Sequence, residues 1–208
     1  MAVKYLIIFV LLILNPVNSS LQVNSEGKIK IDIYTTSACW DTVMFIQNQL
    51  AEAYSLYGEY LDIQFIPWGK STWDGVGDIV CQFGVNDCWA NRVHRCVLNL
   101  LKDNQPAQVH YMTCEFASPY PAFSQGSYVC AQAVGVNLVE VDHCVTNNHD
   151  DLDRAAQAAT TDPMAAFYFV PTIVFNDVID RELHDTALTS RTRFLPSAAT
   201  VYQINMNN

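Results

Sequence analysis

Residues 28–42 read KIKIDIYTTSACWDT, and the arrangement of the remaining chain follows from this stretch. Its isoleucines alternate with polar neighbours, which is the period of a half-buried β-strand. Beyond it, apolar side chains recur at steps of three and four from Val43 to Tyr57, and Gly58 follows. This second period predicts an amphipathic helix that ends at Gly58. Cys39 is therefore expected where a strand passes into a helix.

The position of Cys39 favours a reactive thiol. Free N–H groups and the dipole at the start of a helix favour the thiolate form of a cysteine. Asp41 suits the first turn of that helix, although a negative neighbour opposes thiolate formation. Thr42 stands where a Cys-x-x-Cys motif has its second cysteine. A free cysteine is also often a small buried apolar residue, and this second interpretation of Cys39 stays open.

The first 19 residues have the features of a secretory signal peptide. Lys4 supplies a positive start, an apolar run follows over residues 5–14, and small residues at 17–19 provide a cleavage site. The apolar run is too short to span a bilayer, and no later stretch is longer. We therefore expect residues 1–19 to be removed and the remainder to enter the secretory pathway without a membrane span.

The charge distribution excludes two classes of partner. The chain has a formal net charge of −10, and its 11 lysine and arginine residues form no cluster. A surface that binds nucleic acid or anionic lipid needs such a cluster, so we expect neither as a partner.

The seven cysteines indicate disulfides with one sulfur left over. Cys39 is isolated in the sequence, whereas the other six lie between residues 81 and 144. We therefore predict a free Cys39 and three structural disulfides. The six cysteines expected in these bridges are Cys81, Cys88, Cys96, Cys114, Cys130 and Cys144. Six cysteines can pair in many ways, and the spacing does not choose among them.

Two more strands are expected beside the first. Residues 61–67 alternate in the same way, and a right-handed crossover through the intervening helix makes the two strands parallel. The apolar run 167–175 predicts the last strand, with Asn176-Asp177 as a two-residue turn and a return strand from Val178. A helix near residues 185–190 follows in a weakly patterned tail.

The section between these strands has a helical pattern. Apolar positions from Trp89 to Leu100 predict one helix, with Asn86 or Asp87 as its cap. A further helix is expected over residues 150–160, and the proline-containing stretch 114–130 is interpreted as a loop held by disulfides.

A proline at the head of the last strand, in Val170-Pro171, must avoid the hydrogen-bond ladder or enter it in cis. Together with the strand-to-helix cysteine and the parallel unit, it resembles the thioredoxin-like proteins. In those proteins the proline is cis and lies against the cysteine motif. The resemblance implies that Pro171 is a cis proline that faces Cys39.

Residues 81–96 read CQFGVNDCWANRVHRC, which resembles the signature C-Q-H-G-x-x-E-C-x-x-N-x-x-x-x-C of the gamma-interferon-inducible lysosomal thiol reductase (GILT) family. The departures are Phe83 for histidine and Asp87 for glutamate. The later cysteines are also similar to those of the family, so the resemblance covers roughly residues 29–177. The C-terminal cysteines of the family have no match after Cys144.

The resemblance implies an α/β fold: a thioredoxin-like domain over residues 20–208 with a disulfide-braced helical insertion at about 68–160. Typical members reduce protein disulfides at acid pH. Carried over by position, Cys39 is the candidate nucleophile and Thr42 replaces the resolving cysteine.

Thr42 determines the function that we expect. A mixed disulfide formed by a first cysteine is released by a second thiol, and an alcohol cannot perform this step. We therefore expect little or no dithiol reduction, and a protein that acts by binding another protein whose identity the sequence does not give. The alternative is a monothiol oxidoreductase in which an external thiol releases Cys39 and Thr42 donates a hydrogen bond to the thiolate. A homodimer linked through Cys39 is a third possibility.

We expect no metal and no other cofactor. His94 near Cys96 and His143 beside Cys144 resemble a zinc site, but disulfides would consume the thiolates that zinc needs. The only Asn-x-Ser/Thr sequon, at residues 18–20, straddles the expected cleavage site. Lysosomal family members are sorted through N-glycans, so we predict secretion, with a lysosomal location as the alternative.

Overall fold

The computed structural model describes residues 24–124 and 128–189. The expected signal peptide at 1–19 and the end of the tail, from residue 190 onward, lie outside the described residues.

A three-stranded sheet organises the fold, with β1 (Ile29–Thr35) between β2 (Leu61–Pro67) and β5 (Thr172–Phe175). β1 is parallel to β2, with Ile29 opposite Leu61, and antiparallel to β5. The predicted parallel strand–helix–strand unit is therefore confirmed. A separate hairpin of β3 (Thr72–Trp73) and β4 (Ile79–Val80) follows β2.

Helices form most of the remaining described chain. After β1, a continuous helical stretch consists of α1 (Trp40–Phe45), a π-helical turn (Ile46–Leu50) and α2 (Ala51–Tyr57). The α-helical part ends before Gly58 as expected, and a 3-10 turn (Gly58–Tyr60) leads into β2. The helices between β4 and β5 are α3 (Val85–Leu100), α4 (Gln105–Glu115), α5 (Val129–Ala133), α6 (Leu138–Asn147) and α7 (Asp150–Phe167). A last helix, α8 (Arg181–Thr189), covers β5 and overlaps the predicted helix at 185–190.

The last strand is shorter than the prediction from residue 167. The helix expected to end at Thr160 continues through Pro163 to Phe167, and Tyr168 then adopts a left-handed conformation with a φ of 48°. The apolar run at 167–175 is thus shared between a helix end and a strand. Asn176 and Asp177 both have positive φ, so the predicted turn is confirmed. In place of the predicted return strand, Val178 forms a single β-bridge to Phe175.

The central section contains more helix than its sequence pattern indicated. α3 begins after Gly84 rather than at a cap formed by Asn86 or Asp87. The Asp87 carboxylate instead accepts hydrogen bonds from the side chains of Thr36 and Ser37. Cys114 and Cys130 lie on α4 and α5, so only part of the stretch predicted as a loop is one.

Three disulfides brace this section. They join Cys81 to Cys88, Cys96 to Cys144 and Cys114 to Cys130, which leaves Cys39 as the free cysteine. The second bridge ties α3 to α6, and the third ties α4 to α5. Among the described residues, no helix is long and apolar enough to cross a membrane.

Both faces of β1 are buried. Ile29, Ile31 and Ile33 belong to the large core, in which the helical stretch 40–57 and helices α3 to α6 also pack. On the opposite face Tyr34 packs with Phe167, at the end of α7. Packing on both faces fixes the position of β1. The turn that carries Cys39 follows the C-terminal end of this strand.

His184 on α8 holds β5 through a hydrogen bond that depends on its protonation state. The imidazole is 2% exposed, stacks on Phe167 at 4.3 Å between ring centroids, and accepts from the Ile173 N–H through Nδ1 at 3.1 Å. Burial lowers the pKa of His184 below its ordinary value, and the charge of Asp185 opposes this shift. Protonation of Nδ1 would remove the acceptor.

We predict that His184→Asn makes folding stability less dependent on pH. Above about pH 6.5 the side chain is neutral in both states. As the pH falls, the unfolded chain takes up the proton first, so the wild-type protein loses stability until the lowered folded pKa is passed. The amide does not titrate, so the variant should lose less free energy of unfolding between pH 7.5 and pH 5, although lost packing costs about 1–2 kcal/mol throughout.

Urea unfolding at the two pH values measures this difference. His110→Asn, the same change at an exposed histidine, is the control and should leave the wild-type pH dependence intact. An equal pH dependence in His184→Asn and wild type would contradict the prediction.

Candidate functional site around Cys39

Cys39 is the N-cap residue of α1, and its thiol is buried. The Cys39 N–H donates to the Thr36 carbonyl at 3.3 Å, and the residue is 6% exposed. Its Sγ lies 3.4 Å from the Val170 carbonyl oxygen, to which the thiol donates. Met164 and Val170 form a small apolar cluster with it. The strand-to-helix position agrees with the sequence, but the thiol is less accessible than that position suggested.

The proline at residue 171 lies on the same side of the sheet end as Cys39. The Val170–Pro171 peptide bond is cis, and Pro171 is buried immediately before β5. The residue before the proline supplies the carbonyl that the Cys39 thiol contacts. The structure therefore brings together Cys39 and the Val170-Pro171 pair, which are far apart in the sequence.

Thr42 lies in the first turn of α1 and is fully buried. Its hydroxyl Oγ1 has no hydrogen-bond partner among the described residues. The suggestion that Thr42 donates a hydrogen bond to the Cys39 sulfur is therefore wrong for this structure. Thr42 follows Cys39 by three residues and makes no hydrogen bond with its sulfur.

Helix α3 holds the turn at residues 36–38, which leads from β1 to Cys39. The buried Asp87 carboxylate accepts from Thr36 Oγ1 at 2.8 and 2.9 Å, from Ser37 Oγ at 2.7 Å and from the Ala38 N–H at 3.2 Å. Asn91 Oδ1 accepts from the Ser37 N–H at 2.9 Å. The 81–96 signature pointed to positions 87 and 91, but nothing in the sequence indicated that their side chains reach this turn.

Trp40 and Trp68 have different environments. Trp40 is 53% exposed and packs edge-on against Tyr120 at 5.4 Å between ring centroids. Trp68 is 2% exposed, donates from its indole N–H to the Ser71 carbonyl and has the Arg95 guanidinium over its ring. Trp40 is therefore available to a partner, whereas Trp68 is a packing residue.

A groove of about 410 Å³ shares Met164 with the apolar cluster of Cys39. It runs between the segment 68–73 and the C-terminal half of α7, and Met164, which packs on Cys39, lines it. Tyr168 is 72% exposed at its rim, with Lys70 over its ring at 4.4 Å. A second groove, of about 470 Å³, lies along β2 and is lined by no residue of the Cys39 turn. Only the first of these two grooves shares a residue, Met164, with the Cys39 cluster.

The histidines considered for zinc lie apart. Buried His94 has its Nε2 at 3.5 Å from the Glu115 carboxylate, and its neighbour Cys96 is bonded to Cys144. His143 is exposed and contacts asparagines one turn further along α6. Across the part of the chain that the structure describes, no group of three or more His, Cys, Asp or Glu side chains could hold a metal ion.

A family model and two similar proteins all indicate the same family. The family model described as gamma interferon inducible lysosomal thiol reductase (GILT) matches residues 30–134. GILT-like protein 1 of Drosophila melanogaster is 30% identical over 182 residues, which cover 78% of this chain and 72% of that protein. A gamma-interferon-inducible lysosomal thiol reductase-like protein of Anopheles gambiae is 24% identical over 181 residues, covering 79% and 74%.

Solved structures show the fold. DsbA of Chlamydia trachomatis has a TM-score of 0.58 and 13% identity, covering 88% of this chain and 90% of that chain. The reduced form of the disulfide bond oxidoreductase DsbG of Mycobacterium tuberculosis has a TM-score of 0.53 and 12% identity, covering 88% of each chain. At such identities the likeness concerns the fold, and it confirms the thioredoxin-like class with its helical insertion.

The unpartnered hydroxyl of Thr42 leads to a stability prediction. Thr42→Val keeps the shape and removes a buried polar group without a partner, so the free energy of unfolding should stay the same or rise by about 1 kcal/mol. Thr172→Val is the matched control, because the equally buried Thr172 hydroxyl donates to the Phe169 carbonyl. That variant should lose about 1 kcal/mol in the same denaturant titration. A loss in Thr42→Val as large as in Thr172→Val would show that the Thr42 hydroxyl has a partner.

Proposed function

The chain belongs to the GILT family, and on this basis we propose that it is a secreted member with a degenerate active site that acts chiefly by binding another protein. In this proposal it reduces protein disulfides by the dithiol route weakly or not at all. The observation that carries it is Thr42, buried and without a hydrogen-bond partner, in the position of the resolving cysteine.

The chemistry of disulfide reduction explains why Thr42 decides the proposed function. A Cys39 thiolate that attacks a substrate disulfide forms a mixed disulfide and releases one substrate thiolate. A second thiol must then attack Cys39 Sγ, which releases the other substrate sulfur and leaves a new disulfide on the enzyme. The Thr42 hydroxyl cannot form a sulfur–sulfur bond. Without an external thiol the reaction therefore stops at the mixed disulfide.

Exposed apolar side chains near Cys39 support a binding role. Trp40, Phe83 and Tyr168 are 53%, 46% and 72% exposed. Trp40 follows Cys39 in the chain, Phe83 donates its N–H to the Asp87 carboxylate beneath the turn, and Tyr168 lines the groove. Exposed apolar groups that cluster on a soluble protein mark sites of protein interaction. We propose that the partner protein covers this surface.

We predict that Thr42→Cys restores reduction of insulin by the dithiol route. If only the resolving thiol is missing, the rate at pH 5 or pH 7 should rise at least about tenfold over wild type. Thr42→Ser, which has nearly the same shape without sulfur, is the control and should show no such gain. The gain should also vanish in Thr42→Cys combined with Cys39→Ser. Wild-type turnover close to that of Thr42→Cys would sink the proposed loss of dithiol chemistry.

A monothiol oxidoreductase is the second candidate function, and the free Cys39 favours it. Here one glutathione attacks the mixed disulfide at Cys39 and a second releases Cys39 as its thiol. The substrate disulfide is reduced to two thiols, and glutathione is oxidised to its disulfide. In the same insulin assay this function requires a rate that depends on added glutathione and disappears in Cys39→Ser. Equal rates in Cys39→Ser and wild type would eliminate it.

A homodimer linked through Cys39 stays a minor alternative. The 6% exposure of Cys39 opposes it, since two such sulfurs would have to leave their pockets to meet. A band of twice the monomer mass on a non-reducing gel, absent in Cys39→Ser, would support it.

Secretion is the location that we propose. Three disulfides suit a compartment that allows their formation, and they fit secreted and lysosomal proteins alike. The only N-glycosylation sequon, at residues 18–20, overlaps the expected cleavage site, so a glycan-dependent lysosomal route has no acceptor in the mature chain.

We therefore expect the full-length chain, produced with its own leader in cultured cells, to accumulate in the medium. Asp150→Thr adds a sequon at the exposed Asn148 with a single change at an exposed residue, and it is the glycosylated comparison. A shift of this variant toward lysosomes would agree with the reason given. Retention of the wild-type chain mainly in lysosomes would contradict secretion.

A further inference from the structure

The turn that presents Cys39 is held by side chains of another element. Residues 36–38 lie between the end of β1 at Thr35 and the start of α1 at Trp40. The fully buried side chains of Thr36 and Ser37 both donate to the Asp87 carboxylate. A short turn at a strand end has few contacts of its own, so contacts with another element decide its conformation.

Asp87 concentrates donors from three places on one carboxylate. In addition to its contacts with residues 36–38, it accepts from the Phe83 N–H at 3.3 Å and from Asn91 Nδ2 at 3.2 Å. A carboxylate accepts hydrogen bonds through both oxygens, so it can satisfy all these groups at once. Hydrogen bonds to a carboxylate are shorter and stronger than those between neutral groups. The charge of Arg95, further along α3, also acts on Asp87 through space.

Asn91 completes the contact from the next turn of α3. It is 1% exposed, accepts from the Ser37 N–H through Oδ1 and donates from Nδ2 to Thr36 Oγ1 at 2.9 Å. Asp87 and Asn91 are separated by one helical turn, which places both side chains on the same face of α3. One helix face thus satisfies polar groups of the whole turn.

We propose that Asp87 and Asn91 are positioning residues for Cys39: by holding the turn 36–38, they keep the thiol buried against the Val170 carbonyl. The Cys39 N–H is bonded to the Thr36 carbonyl, so the backbone of Cys39 follows any movement of the turn. The contact of Sγ with the Val170 carbonyl holds the sulfur itself. This inference rests on the proposed role of Cys39 as the thiol of the site. In it, α3 determines the solvent exposure of the Cys39 sulfur.

The rate at which iodoacetamide alkylates Cys39 in the native protein tests the inference. Asp87→Ala and Asn91→Ala should each raise this rate at least about tenfold, because the turn opens locally more often. Asp87→Glu keeps a carboxylate on the same helix face and should bring the rate back toward wild type. Should Asp87→Ala fail to fold, Asn91→Ala and Ser37→Ala, which remove fewer donors, decide the matter.

Asp153→Asn is the matched control. Asp153 is also a fully buried carboxylate bonded to α3, through Arg95 Nε at 2.9 Å and Arg92 at 3.1 Å, but these contacts do not involve the turn. At equal thermal stability it should leave the alkylation rate at the wild-type value. Unchanged alkylation in Asp87→Ala and Asn91→Ala, or an equal rise in Asp153→Asn, would overturn the inference.

The outcome is independent of the proposed function. Alkylation reports the exposure of the sulfur whether or not it takes part in disulfide exchange, whereas the insulin assay with Cys39→Ser reports the exchange. A positioning role can therefore hold when the thiol is catalytically idle, and it can fail when the thiol is active.

Discussion

The contact between one face of α3 and the turn 36–38 is the interaction on which the site depends. The sheet places the end of β1, but the conformation of the next residues is set by a helix that belongs to the insertion. α3 is itself tied to α6 by the Cys96–Cys144 bridge. The helical insertion is therefore part of the structure that presents Cys39, and the sheet alone would leave this turn without its polar partners.

The same arrangement does not involve the side chain of Thr42. Thr42 is buried in the first turn of α1, and its hydroxyl has no hydrogen-bond partner among the described residues. Cys39, by contrast, is joined to Val170 and to the turn 36–38. If Thr42 replaces a resolving cysteine, as we propose, the replacement removes a chemical step and affects none of these contacts of Cys39.

The sequence was sufficient for the features that depend on local periodicity and on cysteine count. The alternation in β1 and β2 gave both strands to within a residue, and the isolation of Cys39 in the sequence separated it from the bridged cysteines. The boundary at Tyr168 was missed, because an apolar run serves a buried helix end as well as it serves a strand. Helices α4 and α6 were missed as well, since the disulfide-rich section was interpreted through its cysteines and prolines.

The site required knowledge of which distant residues meet. Asp87 fits the usual composition of a helix start, so its sequence context favoured a capping role over a long-range one. Burial of the Cys39 thiol depends on Val170 and Met164, which are far away in the sequence and come close only when α7 and β5 are in place. Periodicity describes the face on which a residue lies, but it does not describe which turn of another element covers that face.

The enclosed position of Cys39 also bears on the long-term integrity of the three bridges. A free thiolate is the agent that reshuffles disulfides, and a chain with an odd number of cysteines always carries one such agent. Here the unpaired sulfur faces a backbone carbonyl inside an apolar cluster, whereas the six bridged sulfurs lie on the helical insertion and its connecting segments. The burial of this odd sulfur limits its access to the three bridges and so helps to preserve their pairing once it has formed.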